Sequence, residues 1–352
     1  MSHTLGDMEP LVDPFGRRVT DLRVSITDRC NFRCTYCMPE EGMAWLDRHD
    51  LLTYEEQARI VRVCVERFGF DAVRITGGEP TVRAHLPRLI EMISPLGIDI
   101  AMTTNGVKLP EMVHDLAAAG LRRINVSLDS LRPEVFRELT RRDGLDRVIA
   151  GIDAALDAGL SPVKVNCVVM RGINDDEIVE LAAFGRERGV GMRFIEFMPL
   201  DADGTWSPDR VVPTHEILEQ INAVFPLEQS SGPEGGRVPA AERARPEKSE
   251  PAERFRYADG IGDVGVIASV TQPFCDDCDR IRVTAEGKLR TCLFALDEFD
   301  LREILRHGAA DADLDDRLAA EIARAVGTKW AGHRIGQVDF VRPGRSMSQI
   351  GG

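Results

Sequence analysis

Three cysteines that lie close together are the strongest chemical feature of this 352-residue chain. Cys30, Cys34 and Cys37 stand in one run of eight residues. Their thiolates could hold three irons of a four-iron, four-sulfur cluster, whereas an ordinary electron-transfer cluster has every iron held by cysteine. The fourth iron would then have no protein ligand. The spacing therefore predicts a cluster at which a small molecule binds and chemistry starts.

Disulfides and a zinc ion both fit this run less well. Three cysteines cannot pair among themselves as disulfides, and no apolar leader suggests a secreted protein. A structural zinc site needs four ligands, so one of them would have to come from a distant part of the chain. We therefore expect the iron–sulfur cluster.

A second set of cysteines lies near the other end of the chain. Its members are Cys275, Cys278 and Cys292. This set is also one ligand short of a complete site. A zinc ion with His307 or His333 as its fourth ligand is an equal alternative to a cluster, because spacing alone does not separate the two.

Two arginines follow the paired cysteines of the second set directly. Arg280 and Arg282 alternate with Ile281, so they share one face of a predicted strand. Guanidinium groups bind phosphate through paired hydrogen bonds. Two of them beside a metal centre suggest a polyanionic substrate. The alternative is a pair of solvated arginines on an edge strand, which is common in proteins.

The bulk composition limits the class of protein. The net charge of −14 argues against a general nucleic-acid or anionic-membrane binder, so an anionic substrate must meet a local basic cluster. No stretch has the length needed to span a membrane. Eight cysteines in such a chain indicate a reducing cytoplasm and metal sites. Cys64 and Cys167 fall on apolar faces and are expected to be packing residues.

Short β-branched runs alternate with amphipathic stretches over the first half of the chain. The predicted strands are residues 22–26, 72–76, 98–103, 123–128, 163–170 and 192–198. The predicted helices between them include residues 54–68, 111–119, 145–158 and 175–188. Repeated βα units imply a parallel sheet with right-handed crossovers, either open or curled into a barrel.

Side-chain alternation favours the barrel. A strand that is buried on both faces should be apolar throughout, but here Lys164, for example, lies between Val163 and Val165. Alternate residues of each strand face opposite sides of the sheet, and helices must cover the apolar side. The polar side therefore faces inward, where burying polar groups without water or a hydrogen-bond partner would cost too much free energy. We therefore expect a hydrophilic chamber that holds water or a polar ligand. The alternative, a polar face solvated on an antiparallel sheet, fits poorly with helical crossovers.

The composition changes at residues 230–254, which are rich in proline, glycine and charge. Such a segment buries too little apolar surface to fold, so we expect it to be disordered and to lie outside any site. Beyond it, residues 262–269 and 280–294 are predicted strands, the second with a hairpin turn at 285–288, and residues 314–325 are a predicted helix. These boundaries predict a partial barrel over residues 1–225, a disordered linker over 226–256 and a C-terminal domain over 257–352.

The chain also carries several separate motifs. They are DLRVSITDRC at 21–30, RITGGEP at 74–80, TTNG at 103–106, NVSLD at 125–129, FCDDCDRIR at 274–282 and the closing pair Gly351-Gly352. Together with the first cysteine run, in which Tyr36 precedes the third cysteine, they resemble the radical S-adenosylmethionine (SAM) enzymes. The second cysteine set with its Arg-Ile-Arg and the diglycine end make the chain similar, more narrowly, to the GTP 3′,8-cyclase family (the MoaA family).

The resemblance implies an α/β fold, an incomplete (β/α)6 TIM-type barrel followed by a C-terminal α+β domain that carries a second [4Fe-4S] cluster. It implies a lyase that converts GTP to (8S)-3′,8-cyclo-7,8-dihydroguanosine 5′-triphosphate, the first step of molybdenum cofactor (molybdopterin) biosynthesis. SAM would bind the open iron of the first cluster, and one electron from that cluster would cleave it to a 5′-deoxyadenosyl radical.

The resemblance also implies roles for residues, position by position. The SAM contacts would be Tyr36, Gly78, Ser127 and Met198. The GTP contacts would be Arg23, Arg74, Thr103, Lys164, Arg280, Ile281 and Arg282. The residues that act in catalysis would be Arg23, Arg280, Arg282, Gly351 and Gly352. One [4Fe-4S] cluster would be held by Cys30, Cys34 and Cys37, and a second cluster, in place of zinc, by Cys275, Cys278 and Cys292. The strand residues with inward parity among these contacts are Arg23, Arg74, Thr103, Ser127 and Lys164, in agreement with the alternation.

The resemblance further implies cyclic pyranopterin monophosphate synthase as the downstream enzyme and a flavodoxin- or ferredoxin-type reductant. We expect a monomer or homodimer in the cytoplasm, with no nucleic-acid or membrane partner. Two alternatives stay open. One is a peptide-modifying radical SAM enzyme that uses the second centre as an auxiliary cluster. The other is a non-catalytic zinc-binding adaptor in which both cysteine sets are structural.

Overall fold

Strands and helices alternate from Asp21 onwards in the computed structural model, which describes residues 9–229, 251–307 and 311–351. The first strands are β1 (Asp21–Ser25), β2 (Ala72–Thr76), β3 (Asp99–Thr104), β4 (Arg123–Ser127), β5 (Val163–Val169) and β6 (Gly191–Glu196). The helices that accompany them are α1 (Tyr54–Phe68), α2 (Leu86–Ile93), α3 (Leu109–Ala119), α4 (Pro133–Thr140), α5 (Leu145–Asp157), α6 (Ile178–Arg188) and α7 (Thr214–Val224). Each strand from β1 to β6 pairs in parallel with the next. The predicted incomplete (β/α)6 TIM-type barrel is confirmed.

Helix α1 begins and ends at the residues that the sequence predicts. Thr53 Oγ1 accepts a hydrogen bond from Glu56 N, and the carboxylate of Glu56 accepts one from Thr53 N, which satisfies two N–H groups that the first turn leaves unpaired. Gly69 ends the helix with a φ of 69°, where a side chain would be strained. Ile60 and Val63 on its apolar face are buried in the hydrophobic core. None of the helices within the described ranges is long and apolar enough to cross a membrane.

The C-terminal part of the chain extends the same sheet at both of its edges. Its strands are β7 (Leu227–Gln229), β8 (Glu253–Tyr257), β9 (Asp263–Ile267), β10 (Arg280–Val283), β11 (Lys288–Arg290) and β12 (Phe299–Asp300). Its helices are α8 (Leu301–Arg306), α9 (Asp311–Val326) and α10 (Met347–Ile350). The strand order is β12-β11-β10-β1-β2-β3-β4-β5-β6-β9-β8-β7. β10 pairs in parallel with β1, and β9 pairs in parallel with β6, so one sheet runs through both parts of the chain. The division into domains stays a prediction.

The prediction of a disordered linker over residues 226–256 is wrong at both ends of that range. β7 and β8 lie within it and pair in antiparallel fashion, with Glu228 opposite Arg256. β8 also pairs with β9 on its other side. The composition of the whole segment hides these short strands, because they are stabilised by neighbours in the sheet and not by their own sequence. Residues 230–250 lie outside the described residues.

The inward face of the barrel strands is polar, as the alternation predicts. Along β5, buried residues alternate with half-buried ones from Val163 to Val169. The buried parity belongs to one large hydrophobic core that the barrel strands share with the helices. The half-buried Lys164 and Asn166 line a central cavity instead. The strands therefore present polar groups to an internal space.

Candidate active site

A cavity of about 560 Å³ lies inside the partial barrel. The strand residues that line it include Arg23, Arg74, Thr103, Asn125, Ser127, Lys164, Asn166, Arg193, Arg280 and Arg282. The loop residues that line it include Cys30, Cys34, Tyr36, Cys37, Gly78, Asp129 and Met198. These loops follow the carboxyl ends of the strands, which is where barrel enzymes place their active sites. The size and the polar lining suit a small polar ligand.

The loop after β2 holds the first cysteine run in place. Gly78 N donates a hydrogen bond of 2.7 Å to Thr27 O. Glu79 N donates one of 2.8 Å to Arg29 O, directly before the first cysteine. A Cβ atom on Gly78 would lie 2.4 Å from the carbonyl oxygen of Asp28, so the two loops can approach this closely only because the residue is glycine.

The thiols of the first cysteine run converge on the cavity. Burial, reinforced by the charge of Glu79, raises the pKa of Cys30 to about 12, and burial raises the pKa of Cys37 to about 11. A positively charged centre is therefore needed to convert these thiols into thiolate ligands. Within the described ranges, no group of three or more ligand atoms within 4.8 Å of one another includes these cysteines. A tetrahedral zinc ion would hold its thiolates roughly 3.8 Å apart. The run fits a cluster in which each thiolate binds its own iron.

A buried carboxylate after β4 ties the cysteine run to the barrel. Tyr36 donates a hydrogen bond of 2.6 Å from its hydroxyl to Asp129, which also accepts one of 2.8 Å from Val168 N. Burial raises the pKa of Asp129 to about 6 and also raises the pKa of Tyr36. Sequence reasoning did not assign Asp129 a role, although it ends the NVSLD motif at the carboxyl end of a strand.

A second buried carboxylate joins the loops that follow β2 and β3. Glu79 accepts hydrogen bonds of 2.6 Å from Thr104 Oγ1 and from Asn105 N. It also accepts one of 2.6 Å from Thr81 Oγ1. Burial raises the pKa of Glu79. Sequence reasoning did not assign this residue either, although it stands inside the RITGGEP motif, and its role is to fix the loops around the cavity.

Four arginines form a basic group on one side of the cavity, here called the arginine cluster: Arg23, Arg74, Arg280 and Arg282. Strand register places Arg23 beside both Arg74 and Arg282. Burial, followed by the charge of neighbouring arginines, lowers the pKa of Arg23, and it lowers the pKa of Arg282 to about 10. Arg23 Nε, two nitrogens of Arg74 and two of Arg280 are buried and make no hydrogen bond to any described residue. Because unpaired buried donors are costly, the cluster fits a ligand with several negative charges.

The last described residues reach into the same cavity. Met347 and Ser348 of α10 line it, and Ser348 hydrogen-bonds to the thiol of Cys37. Ser346 and Gln349 cap this short helix reciprocally, which fixes its start. Gly352 lies outside the described residues, so its expected role stays a prediction.

Gly351 lies between the carboxyl ends of β1 and β2. Its carbonyl oxygen accepts a hydrogen bond of 2.7 Å from Arg282 Nη1. Its φ is 84°, and a Cβ atom there would lie 2.7 Å from Thr76 Oγ1 and 2.9 Å from Ser25 Cβ. Both the conformation and the space therefore require glycine at this position. The tail is joined to the arginine cluster through Arg282.

The second cysteine set has basic surroundings. Burial alone would raise the pKa of Cys278, but Arg280 and Lys329 outweigh it and lower the pKa to about 7. Burial raises the pKa of Cys275. No group of three or more described ligand atoms within 4.8 Å of one another includes these cysteines or a histidine beside them. The three thiolates are again too widely spaced to share a single zinc ion.

Neither His307 nor His333, the two candidates for a fourth zinc ligand, completes a zinc site at the second cysteine set. His307 is exposed at the end of α8. The ring of His333 packs against Phe294, with ring centroids 5.3 Å apart, and its Nδ1 atom accepts a hydrogen bond from Ile335 N. The geometry therefore favours a cluster over zinc at the second set.

Nearly all residues that the sequence assigns to ligands meet at this one cavity. Those that line it are Tyr36, Gly78, Ser127, Met198, Arg23, Arg74, Thr103, Lys164, Arg280 and Arg282. Ile281 differs, because its fully buried side chain packs in the hydrophobic core and any contact with a ligand would come from its backbone. Ala252 and Arg254 also line the cavity, which corrects the prediction that residues 230–254 lie outside any site.

Comparison with known proteins gives two family matches and close relatives. Residues 24–185 match the radical SAM superfamily, and residues 190–335 match the family described as Molybdenum Cofactor Synthesis C. The GTP 3′,8-cyclase of Streptomyces coelicolor is 48% identical over 345 residues, which cover 97% of this chain and 96% of that protein. The GTP 3′,8-cyclase of Paenarthrobacter nicotinovorans is 48% identical over 352 residues, with 97% of each chain covered.

Solved structures with a similar fold are far less similar in sequence. Streptococcus suis SuiB bound to S-adenosylmethionine has a TM-score of 0.57 and 16% identity, and the match covers 90% of this chain and 68% of that one. SuiB without the ligand gives the same TM-score at 15% identity, with 87% and 66% covered. At this identity the likeness concerns the fold alone.

Proposed function

The chain belongs to the radical SAM superfamily and, within it, to the GTP 3′,8-cyclase family, and from this premise we propose how its cavity binds and cyclises GTP. The chain is a radical SAM enzyme of molybdenum cofactor biosynthesis. One observation carries the assignment to its residues. A run of three thiols faces the same cavity as the four arginines of the arginine cluster, and three of these arginines have buried donors without a hydrogen bond among the described residues. The peptide-modifying alternative gives no reason for such a concentration of phosphate-binding groups.

The first cysteine run would hold the [4Fe-4S] cluster, and Tyr36, Gly78, Ser127 and Met198 would hold SAM beside it. When bound, the cluster would supply the electron for reductive cleavage of SAM, which starts radical chemistry at C3′ of GTP. The hydrogen bond from Tyr36 to Asp129 would anchor the cysteine run to the carboxyl end of β4. The backbone hydrogen bond from Gly78 to Thr27, before Cys30, would hold the cysteine run against the loop after β2.

The arginine cluster would bind the triphosphate. Guanidinium groups form paired, charge-assisted hydrogen bonds with phosphate, so the triphosphate satisfies donors that the protein leaves unpaired. Thr103 and Lys164 line the cavity and would contact the nucleoside. Joining C3′ to C8 takes up one further electron and one proton, and Arg23 and Arg74 orient the substrate for that transfer. Gly351, held by Arg282, would close the chamber.

We also propose a second [4Fe-4S] cluster at Cys275, Cys278 and Cys292. No group of three or more described ligand atoms within 4.8 Å of one another includes these thiols, as a single zinc ion would require, and this supports the proposal. Arg280, two residues after Cys278, lines the cavity, so a cluster held by this set would lie near the substrate and could supply an electron there. A flavodoxin- or ferredoxin-type reductant, a downstream cyclic pyranopterin monophosphate synthase, a cytoplasmic location and the domain limits at residues 225 and 257 belong to the same proposal.

Anaerobic turnover tests the proposed function directly. The reconstituted protein is incubated with SAM, dithionite and GTP, and the products are separated and weighed by mass spectrometry. We expect 5′-deoxyadenosine and a cyclised product with the mass of GTP to form together. Without GTP, only slow formation of 5′-deoxyadenosine is expected. Deoxyadenosine that forms at the same rate with and without GTP, and with no GTP-derived product, would reject the assignment.

A further inference from the structure

One buried lysine contacts the second cysteine set but takes no part in the cavity. Lys329 is only 3% exposed. Its Nζ atom lies 3.6 Å from Cys278 Sγ and donates a hydrogen bond of 2.6 Å to Arg280 O. Burial of a long, charged side chain is rare unless the charge is matched. The partner that matches it here is the sulfur of a proposed cluster ligand.

The turn after α9 fixes this lysine in place. Lys329 N donates a hydrogen bond of 3.0 Å to Val326 O, which places the side chain directly after the helix. A few residues later, a Cβ atom on Gly332 would lie 2.8 Å from Cys275 Cβ, so this segment approaches the cysteines as closely as glycine allows. Arg17 binds the same segment through Ala331 O. The lysine therefore cannot move away from Cys278 without disturbing several contacts.

The segment gives hydrogen-bond donors to two of the three sulfurs. Lys329 reaches Cys278, and the backbone of His333 hydrogen-bonds to the thiol of Cys275. A protein sets the reduction potential of an iron–sulfur cluster partly through hydrogen bonds to the sulfurs and through nearby charges. Reduction adds one negative charge to the cluster, so a nearby ammonium stabilises the reduced state more than the oxidised state. Such a charge raises the reduction potential.

Lys329 differs in one respect from Arg280, the other cation near Cys278. Arg280 lines the cavity, so the phosphates of a bound substrate would neutralise its charge. Lys329 is not one of the described lining residues, and its second contact is a neutral backbone carbonyl. Its charge acts on the sulfur whether or not substrate is bound.

We propose that Lys329 is a positioning residue that sets the reduction potential of the second cluster through Cys278. The proposal rests on the second cluster of the proposed function. It assigns a role in electron delivery to a residue that lies outside every motif of the sequence.

The test is an electron paramagnetic resonance titration of the second cluster in the full-length, anaerobically reconstituted protein. The variants are Lys329→Met, which removes the charge and the donor, Lys329→Gln, which removes the charge and retains a neutral N–H donor on a shorter side chain, and Lys329→Arg, which keeps the charge and the donor. Lys288→Met is the matched control, since Lys288 pairs with Asp300 in the same part of the chain. We expect a more negative potential in Lys329→Met and Lys329→Gln, with and without GTP. Lys329→Arg and Lys288→Met should stay near the wild type.

Iron and sulfide analysis shows whether a negative result contradicts the second cluster or only the role of Lys329. A wild-type protein with iron for one cluster only would overturn the second cluster itself. Two clusters in the neutral variants with an unchanged potential would overturn the role of Lys329 and leave the proposed function intact. A shift in Lys329→Arg as large as that in Lys329→Met would also overturn it, because the charge would then not be the cause. Loss of the second cluster from both neutral variants would show a purely structural role.

Discussion

The arginine cluster is placed by strand register, and its one ion pair among the described residues is a long one, 3.6 Å from Arg280 Nε to the carboxylate of Asp279. Most other arginines of the described structure pair with acids, as Arg59 does with Asp315 and Arg88 with Glu55. Arg23, Arg74 and Arg280 instead have buried donors that make no hydrogen bond to any described residue. Cations gathered in this way destabilise the protein by mutual repulsion and desolvation. An anionic ligand would relieve both effects, so GTP should stabilise the folded protein as well as react in it.

Replacement of single arginines in the cluster tests this binding role. In Arg280→Ala and Arg282→Ala, we expect GTP affinity to fall by about 10- to 100-fold, since a hydrogen bond to a charged group contributes about 1.5–3 kcal/mol. Cleavage of SAM without substrate should continue, because neither residue belongs to the proposed SAM set. The measurement is anaerobic isothermal titration with GTP. Arg137→Ala, an exposed residue paired with Asp143, is the control. Unchanged affinity in both cluster variants would contradict the assignment.

Asp129 gives the protein a pH dependence of stability. Burial raises its pKa from 3.8 to about 6, so the folded state favours the protonated form. The stability from this group is full below the ordinary aspartate pKa and is lost as the pH rises through about 6. A shift of this size corresponds to about 3 kcal/mol between pH ~3.5 and ~7.

Denaturant unfolding of the cluster-free protein across this pH range measures the effect. In Asp129→Asn, we expect the free energy of unfolding to decline less with rising pH than it does in the wild type. Parallel curves for the two proteins would show that Asp129 does not titrate in this way.

At the scale of the elements, the sequence predicts the barrel well, and it also predicts β9, the hairpin of β10 and β11, and α9, but it misses β7, β8 and the pairing of the C-terminal strands with the barrel. The six barrel strands and four of the helices lie within a few residues of their predicted bounds. In these stretches the spacing of apolar residues is regular, and it indicates which side chains are buried. α2 and α4 have eight residues each, too few turns for a periodic signal. The pairing of β10 with β1 joins residues far apart in the sequence, and no local pattern can predict it. The same reason explains why Lys329 was missed, since its partner is remote.

The tail element has a test of its own. In Gly351→Ala, the new Cβ atom would collide with Thr76 Oγ1 and the positive φ would be strained, so we expect the bond to Arg282 to be lost. The yield of cyclised product per deoxyadenosine should fall by about tenfold or more, as after loss of one charged hydrogen bond. Gly344→Ala is the matched control, because no atom lies within 4 Å of a Cβ there. Equal yields from the two variants would show that the tail does not shape the chamber.

At the scale of the whole molecule, the two proposed clusters should each hold about half of the bound iron. Replacement of Cys275, Cys278 and Cys292 by alanine should remove about half of the iron and leave SAM cleavage in place. Replacement of Cys64, which is buried in the hydrophobic core, should leave the iron content unchanged and serves as the control. Iron and sulfide analysis after anaerobic reconstitution gives the result. Full iron retention in the triple variant would place the second cluster elsewhere.

The strands that flank β1 and β6 also have a consequence for synthesis in the cell. Both neighbours, β10 and β9, are translated long after the barrel strands that they cover. Until they emerge from the ribosome, a nascent barrel would expose the hydrogen-bonding groups of two sheet edges, which invite pairing with other chains. Truncated forms that stop before β9 should therefore aggregate, and chaperones should bind the unfinished chain at these edges.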